Sequence, residues 1–137
     1  MEQKDYLLRE IEKIGLLLRA ILNKLKLSSD NGAITIEKQF EDEKAMLLNE
    51  VGFNIDEFAS RNDSEIEQYL SKYEGIRDGN FELLADVLME AGFNAENNMT
   101  TAYFEKALRL YELCNSLDKT YSVERESKIK ELRNILY

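Results

Sequence analysis

A chain of 137 residues with no proline, six glycines and one cysteine is long enough to bury roughly two-thirds of the surface its unfolded form exposes, so it needs no disulfide framework. Its 27 acidic and 18 basic side chains give a formal charge of −9; a body of that sign repels phosphate backbones, which excludes nucleic acid as the main partner. The absence of histidine removes the usual general base at neutral pH, the usual zinc ligand and every Ser-His or Cys-His nucleophile arrangement.

A composition dominated by Leu, Glu, Lys and Ala without proline predicts an all-α fold. Glu2, Lys4, Asp5, Arg9, Glu10, Glu12 and Lys13 interrupt the region where a secretory leader would turn apolar, so cytoplasmic residence is expected. The least polar run, Ile14 to Leu22, includes Arg19 and falls far short of the ~20 apolar residues a membrane span requires. Charge is uneven along the chain. Residues 1–27 hold six basic and four acidic side chains, and the remainder holds twelve and twenty-three, so a helix of +2 precedes a body of −11.

One helical domain over 1–137 is predicted, made of an N-terminal helix (1–27), a turn or linker (28–34) and a body (35–137). The longest hydrophobic repeat lies in the first of these. Leu7, Ile11, Ile14, Leu18, Ile21 and Leu25 recur at alternating spacings of four and three, the period of one helix face. Leu8, Leu16, Leu17 and Leu22 widen the stripe, which predicts a long hydrophobic helix that the rest of the chain, or a second copy, must cover. Gly15 inside it costs up to about 1 kcal/mol relative to Ala, which points to a close approach by another helix. Leu8, Gly15 and Leu22 repeat at heptad spacing and form a candidate dimer seam.

Ser28 to Gly32 form a turn cluster. Thr35 is a predicted N-cap for a second helix with Ile36, Phe40, Leu47, Leu48 and Val51 inward, while Glu41, Asp42, Glu43 and Lys44 read as a solvated face. Leu47 to Asn54 is echoed by Val87 to Asn94, with five of eight positions identical. Each copy fits a helix stop with a left-handed glycine, Gly52 or Gly92, and a leucine, Leu48 or Leu88, touching the following phenylalanine. Asn54 to Glu57 has capping-box spacing for a short turn containing Ile55 and Phe58. A third full helix, capped by Asp63 or Ser64, turns Ile66, Tyr69, Leu70 and Tyr73 inward and ends at Gly75. Asn80 is a candidate cap for Phe81 to Ala91; the neighbouring Asp78-Gly79-Asn80 lacks the ordered acids of a calcium loop.

The polar run Asn94 to Thr101 reads as a loop, whose carbonyls and carboxylate are alternatively a cation or polar-ligand site. From Ala102 the pattern is helical again, with Phe104, Ala107, Leu108, Tyr111, Cys114 and Leu117 inward. Ser122 is a plausible cap for a last helix carrying Ile129, Leu132, Ile135 and Leu136; the alternative is one long helix running through 119–122, and the order of Glu124 and Glu126 before Lys128, Lys130 and Arg133 favours a separate helix.

Phe81, Leu84, Ala85, Leu88 and Gly92 resemble the first helix of a tetratricopeptide repeat, and Phe104 and Ala107 its second; the earlier unit keeps Ala45, Leu48 and Gly52, with Lys44 where leucine is expected. The interhelical loop is longer than that family's, the closing proline is absent, and the period is forty rather than about thirty-four. Asp5 to Glu12 is similar to the start of a family of uncharacterised bacterial proteins. The resemblance implies helical hairpins in a TPR-like right-handed array or bundle, headed by the long N-terminal helix.

A non-enzymatic protein–protein interaction or scaffold module follows as the expected function, with an unidentified protein or peptide partner and no cofactor or metal. Tyr69, Tyr73, Tyr103, Tyr111 and Tyr121 are its candidate groove-lining residues, since tyrosine joins apolar area to a polar tip. The alternatives are a homodimer through the N-terminal helix with a small polar-ligand or regulatory role, and a carboxylate-based enzyme. Cys114, on an apolar face near Glu112, reads as a buried inert thiol.

Overall fold

The computed structural model describes residues 2–28, 33–73, 75–76, 78–95, 98–118 and 122–137. Among them are seven α-helices, one 3-10 turn and no strand: α1 (Glu2–Ser28), α2 (Ala33–Val51), α3 (Ile55–Ser60), a 3-10 turn (Asp63–Glu65) leading into α4 (Ile66–Leu70), α5 (Asp78–Asn94), α6 (Thr100–Leu117) and α7 (Val123–Leu136). One apolar cluster draws residues from every one of these α-helices.

The all-α expectation holds, but the array headed by a long hydrophobic helix does not form. α1 is an amphipathic helix: Ile14, Leu18, Ile21, Leu22 and Leu25 are buried while Arg9, Lys13, Arg19 and Lys24 on other faces are exposed. No helix among the described residues is long and apolar enough to cross a membrane. The helix buried on most sides is α5, whose Leu84, Ala85, Val87, Leu88, Met89 and Ala91 are all in the core. It packs most extensively on α6, then on α1, and touches α2; α7 closes against α6. A helix apolar around most of its circumference must be surrounded.

The two copies of the internal echo diverge. Gly52 ends α2 with φ +79°, and its N–H donates to the Leu48 carbonyl at 2.8 Å, the single bond of a left-handed cap. Leu48 remains half-exposed, whereas Phe53 is buried among Phe58, Tyr69 and Tyr73. Gly92, by contrast, lies inside α5 and ends nothing. There a β-carbon would lie 2.6 Å from the Phe104 ring, so this glycine serves close packing on α6. The helices after the two copies also differ, with six residues in α3 and eighteen in α6, so they are not equivalent hairpins.

Caps explain several boundaries. Asn54 accepts from the Glu57 N–H at 3.0 Å and starts α3; Ser122 accepts from Arg125 N–H and starts α7, separating it from α6. The expected full third helix is instead the 3-10 turn and the five residues of α4, with no side-chain cap at either start. Thr35 lies inside α2, which begins two residues earlier. Its side chain, that of Ile36, and the turn cluster 29–32 lie outside the described residues.

Asn80 is not a cap. It lies in the first turn of α5, buried, and its Nδ2 donates to the carbonyls of Ile11 in α1 at 2.9 Å and Gly75 at 2.7 Å. This is the close approach that Gly15 predicts: a β-carbon there would lie 2.9 Å from Asn80 Oδ1. Gly75 interlocks at the same place, because a β-carbon on it would lie 2.9 Å from the Glu10 carbonyl oxygen and closer still to Ile14.

Two Gly→Ala substitutions should therefore have opposite signs. Gly79, in the same α5 turn as Asn80, has nothing within 4 Å of a β-carbon, so Gly79→Ala should stabilise by about 0.5–1 kcal/mol through helix propensity. Gly15→Ala should lose about 1–3 kcal/mol despite the same propensity gain, because Asn80 must move. Urea unfolding of the two variants checks this; equal stabilisation by both would mean Asn80 yields freely.

Candidate functional site

Four of the five tyrosines expected to line one groove lie in or against the core in three separate places. Tyr69 is buried between Phe53 and Phe58, with Tyr73 at 5.7 Å and the cations of Arg61 and Lys72 over its ring. Tyr73, half-buried, donates its hydroxyl to the Gly52 carbonyl. Tyr103 packs edge-on to Phe40 and donates to Asp56. Tyr111, the most enclosed, donates to Asp86. Tyr121 lies outside the described residues.

Two of these phenols share a design. Asp56 accepts from Tyr103 and pairs with Lys44 at 2.8 Å, and Lys44 sits over the Phe40 ring. Asp86 accepts from Tyr111 and pairs with Lys128 at 2.9 Å, and Lys128 sits over the Tyr111 ring. Burial, together with the adjacent carboxylate, raises both phenol pKa values far above the ordinary tyrosine range. Burial lowers the Lys44 pKa, but its hydrogen bonds to Asp56 and Glu41 outweigh that and leave it raised.

The heptad strip does not form one exposed line. Leu8 is 48 % exposed, Gly15 faces Asn80, and Leu22 is 8 % exposed. A straight α-helix drifts about 20° per heptad, which rotates the strip from solvent at Leu8 into the core at Leu22.

The acidic run is likewise divided. Glu43, expected in solvent, is buried beneath Lys24 at 3.3 Å and Gln39 at 3.0 Å, and its Oε2 has no hydrogen-bond partner among the described residues. In the polar run after α5, Asn94 donates to the Glu90 carbonyl and Thr100 to that of Ala95; residues 96–97 lie outside the described residues. No group of three His, Cys, Asp or Glu side chains among the described residues could hold a metal ion. Cys114 is buried, free of disulfide, and its thiol is pushed up to about 11 by burial. It borders a small hollow with Gly79, Glu82, Leu117, Asp118 and Arg125, where Arg125 bonds Glu82 at 2.7 Å and Asn115 at 3.0 Å.

An apolar surface hollow lies between α1 and α2. Its floor is Leu16, Leu17 and Met46, and its rim is Arg9, Glu12, Lys13 and Glu50. Lys24 of α1 pairs with Glu43 of α2, while Arg9 and Glu50 line the same hollow nearer the start of α1 and the end of α2, so the two helices run antiparallel. Leu16 is 67 % exposed and Leu27 71 %. Both could have been located from the sequence. Leu16 is two residues from both Ile14 and Leu18, and Leu27 is two residues past Leu25, so each lies about 200° around the helix from the core stripe. Counting Leu16 into a wider stripe, and leaving Leu27 out of account, hid the second face.

Compared with known proteins, no family model, no curated protein and no solved structure matches the chain.

The raised phenols have a consequence for stability. A folded-state pKa above the unfolded value of about 10 means the fold retains a proton that the unfolded chain releases, so their contribution is complete below pH 10 and lost as pH rises past it. Thermal melts at increasing pH should fall above pH 10, and fall less steeply in Tyr111→Phe. An unchanged slope in that variant would show that Tyr111 loses its proton as readily in the folded protein as in the unfolded chain. Separately, Cys114 should resist a maleimide at pH 8 in the native protein and react fully in urea.

Proposed function

We propose that the protein is a non-enzymatic protein–protein interaction module that docks an amphipathic helix of a partner protein in the groove between α1 and α2. Leu16 carries this reading. It is a large aliphatic side chain kept mostly in solvent beside Leu17 and Met46, on a helix whose other face already fills the core. Covering apolar surface is worth roughly 25 cal/mol per Å², and a groove between two packed helices offers the ridges that a third helix fits.

The rim is mixed, with Glu12 and Glu50 beside Arg9 and Lys13, so it registers a partner whose acids lie over the two cations. Arg9 and Lys13 stand over the apolar floor and make no ion pair with the described residues. Opposite charge on an incoming helix would steer and register it there. Catalysis gains no comparable support: Cys114 is an enclosed thiol with its pKa raised rather than lowered, and the phenols are held in their neutral form.

A helical peptide with a leucine stripe flanked by glutamates is the probe. In a methyl NMR titration it should shift Leu16, Leu17 and Met46 first, and Leu16→Glu should abolish the shifts while changing stability by no more than about 0.5 kcal/mol. Binding that survives Leu16→Glu would sink the reading. So would a dimer in sedimentation velocity that Leu16→Glu dissolves, since the groove would then belong to a second copy.

A further inference from the structure

The charged residues of α1 are sorted along its length. Residues 13–27 hold Lys13, Arg19, Lys24 and Lys26 and no acid, in a chain whose other residues carry 14 basic and 27 acidic side chains. The upstream end holds Asp5 and Glu12, with Glu50 across the groove. α1 leaves apolar surface uncovered along this basic stretch, as it does upstream at Tyr6 and Leu8. Leu16, Ala20 and Leu27 are exposed at spacings of four and seven, with exposed Asn23 between them, a row running away from the groove on the side opposite the core.

We infer that the partner is an acidic amphipathic helix lying antiparallel to α1, its acid-rich N-terminal half over residues 13–27. This inference rests on the docking reading above and specifies the partner. Three observations converge on it. Lys13 and Arg19 are exposed and make no ion pair with the described residues; Lys24, though paired with Glu43, keeps half its side chain in solvent. The rest of the chain carries 14 basic against 27 acidic side chains, so its net charge disfavours a negative helix and directs it to this row. Direction follows from the helix dipole together with the groove: carboxylates are favoured in a helix's first turns, so a helix that opposes its acids to residues 13–27 and lays its remaining length in the groove at Arg9, Lys13 and Leu16 presents its N-terminus toward Leu27. Its dipole then runs against that of α1. Ala20, between the two leucines, leaves room for a ridge of the incoming helix. A lipid surface shares the attraction to basic side chains, but the acidic body would repel anionic headgroups, and α1 lacks the tryptophan anchors of an interfacial helix.

The test uses the full chain and three peptides with one leucine stripe: glutamates concentrated in the N-terminal half, the same positions as lysine, and the same positions as glutamine. By fluorescence anisotropy at low salt the acidic peptide should bind about tenfold more tightly than the glutamine peptide, the worth of two surface ion pairs, and the lysine peptide more weakly than either. The advantage should close at high salt and in Lys13→Glu/Arg19→Glu, whose two sites are exposed and whose fold is checked by circular dichroism. A spin label on the N-terminus of the acidic peptide should broaden the Leu27 methyls and spare Leu8. Equal binding of acidic and glutamine peptides would overturn the charge inference and leave the docking groove standing. Broadening at Leu8 would overturn the orientation, and no binding by any peptide would remove both readings. Capture of the protein by phosphatidylserine vesicles, with the acidic peptide displaced, would replace the partner helix with a lipid surface.

Discussion

The fold depends on the enclosure of α5. A helix that buries Leu84, Val87, Leu88, Met89 and Ala91 on nearly every side has no solvent face to spare, so its neighbours must be held at fixed heights along it. Its few polar side chains do this. Asn80 reaches the backbone of α1, Glu82 reaches Arg125 of α7, and Asp86 reaches Tyr111 of α6 and Lys128 of α7. These three polar side chains of the central helix thereby reach α1, α6 and α7. Because a buried donor or acceptor left unpaired costs about 1–3 kcal/mol, displacing α1 or α7 along α5 is penalised at each of these points, whereas apolar packing alone would tolerate a slip.

The same economy governs the outer helices. Tyr103, Asp56 and Lys44 tie α6 to α3 and α2, and the buried Lys106 ties α6 to Asp63 before α4. The short α3 and α4, too brief to be stable alone, are held by these ties and by the rings of Phe53, Phe58, Tyr69 and Tyr73. Tyr73, Tyr103 and Tyr111 each combine ring area against the core with a hydroxyl that reaches a carbonyl or carboxylate at its edge. That is why residues well suited to an interface are spent inside.

Helical periodicity was legible wherever one face is buried: the stripe Ile14, Leu18, Ile21, Leu25 and the caps Asn54 and Ser122 follow directly from local rules. What was not legible depended on three-dimensional crowding. Gly92 looks like Gly52 in sequence, yet one ends a helix and the other receives the Phe104 ring. Asn80 has the composition of a cap, but its amide is recruited by the Ile11 carbonyl sixty-nine residues away. Glu43 lies in an acidic run and is buried by Lys24 of another helix. In each case the deciding partner is distant in sequence, where spacing rules carry no information. The heptad of Leu8, Gly15 and Leu22 misled for a different reason, since an exact seven-residue repeat stays on one line only if the helix supercoils, and α1 packs instead inside a bundle.

That distinction separates the two faces of α1. Its inner face is dictated by the enclosure of α5 and by the fit of Gly15 against Asn80, and a change there alters the fold before anything else. Leu16 and Leu27 lie about 200° away and fill no part of the core, so the fold does not account for leucine at either position. The same holds for charge. Complementing the dipole of α1 requires cations only in the last turn, which Lys26 supplies, whereas Lys13 and Arg19 lie in mid-helix. The fold alone therefore does not account for the outward row, and that is the ground on which a docking surface is proposed there.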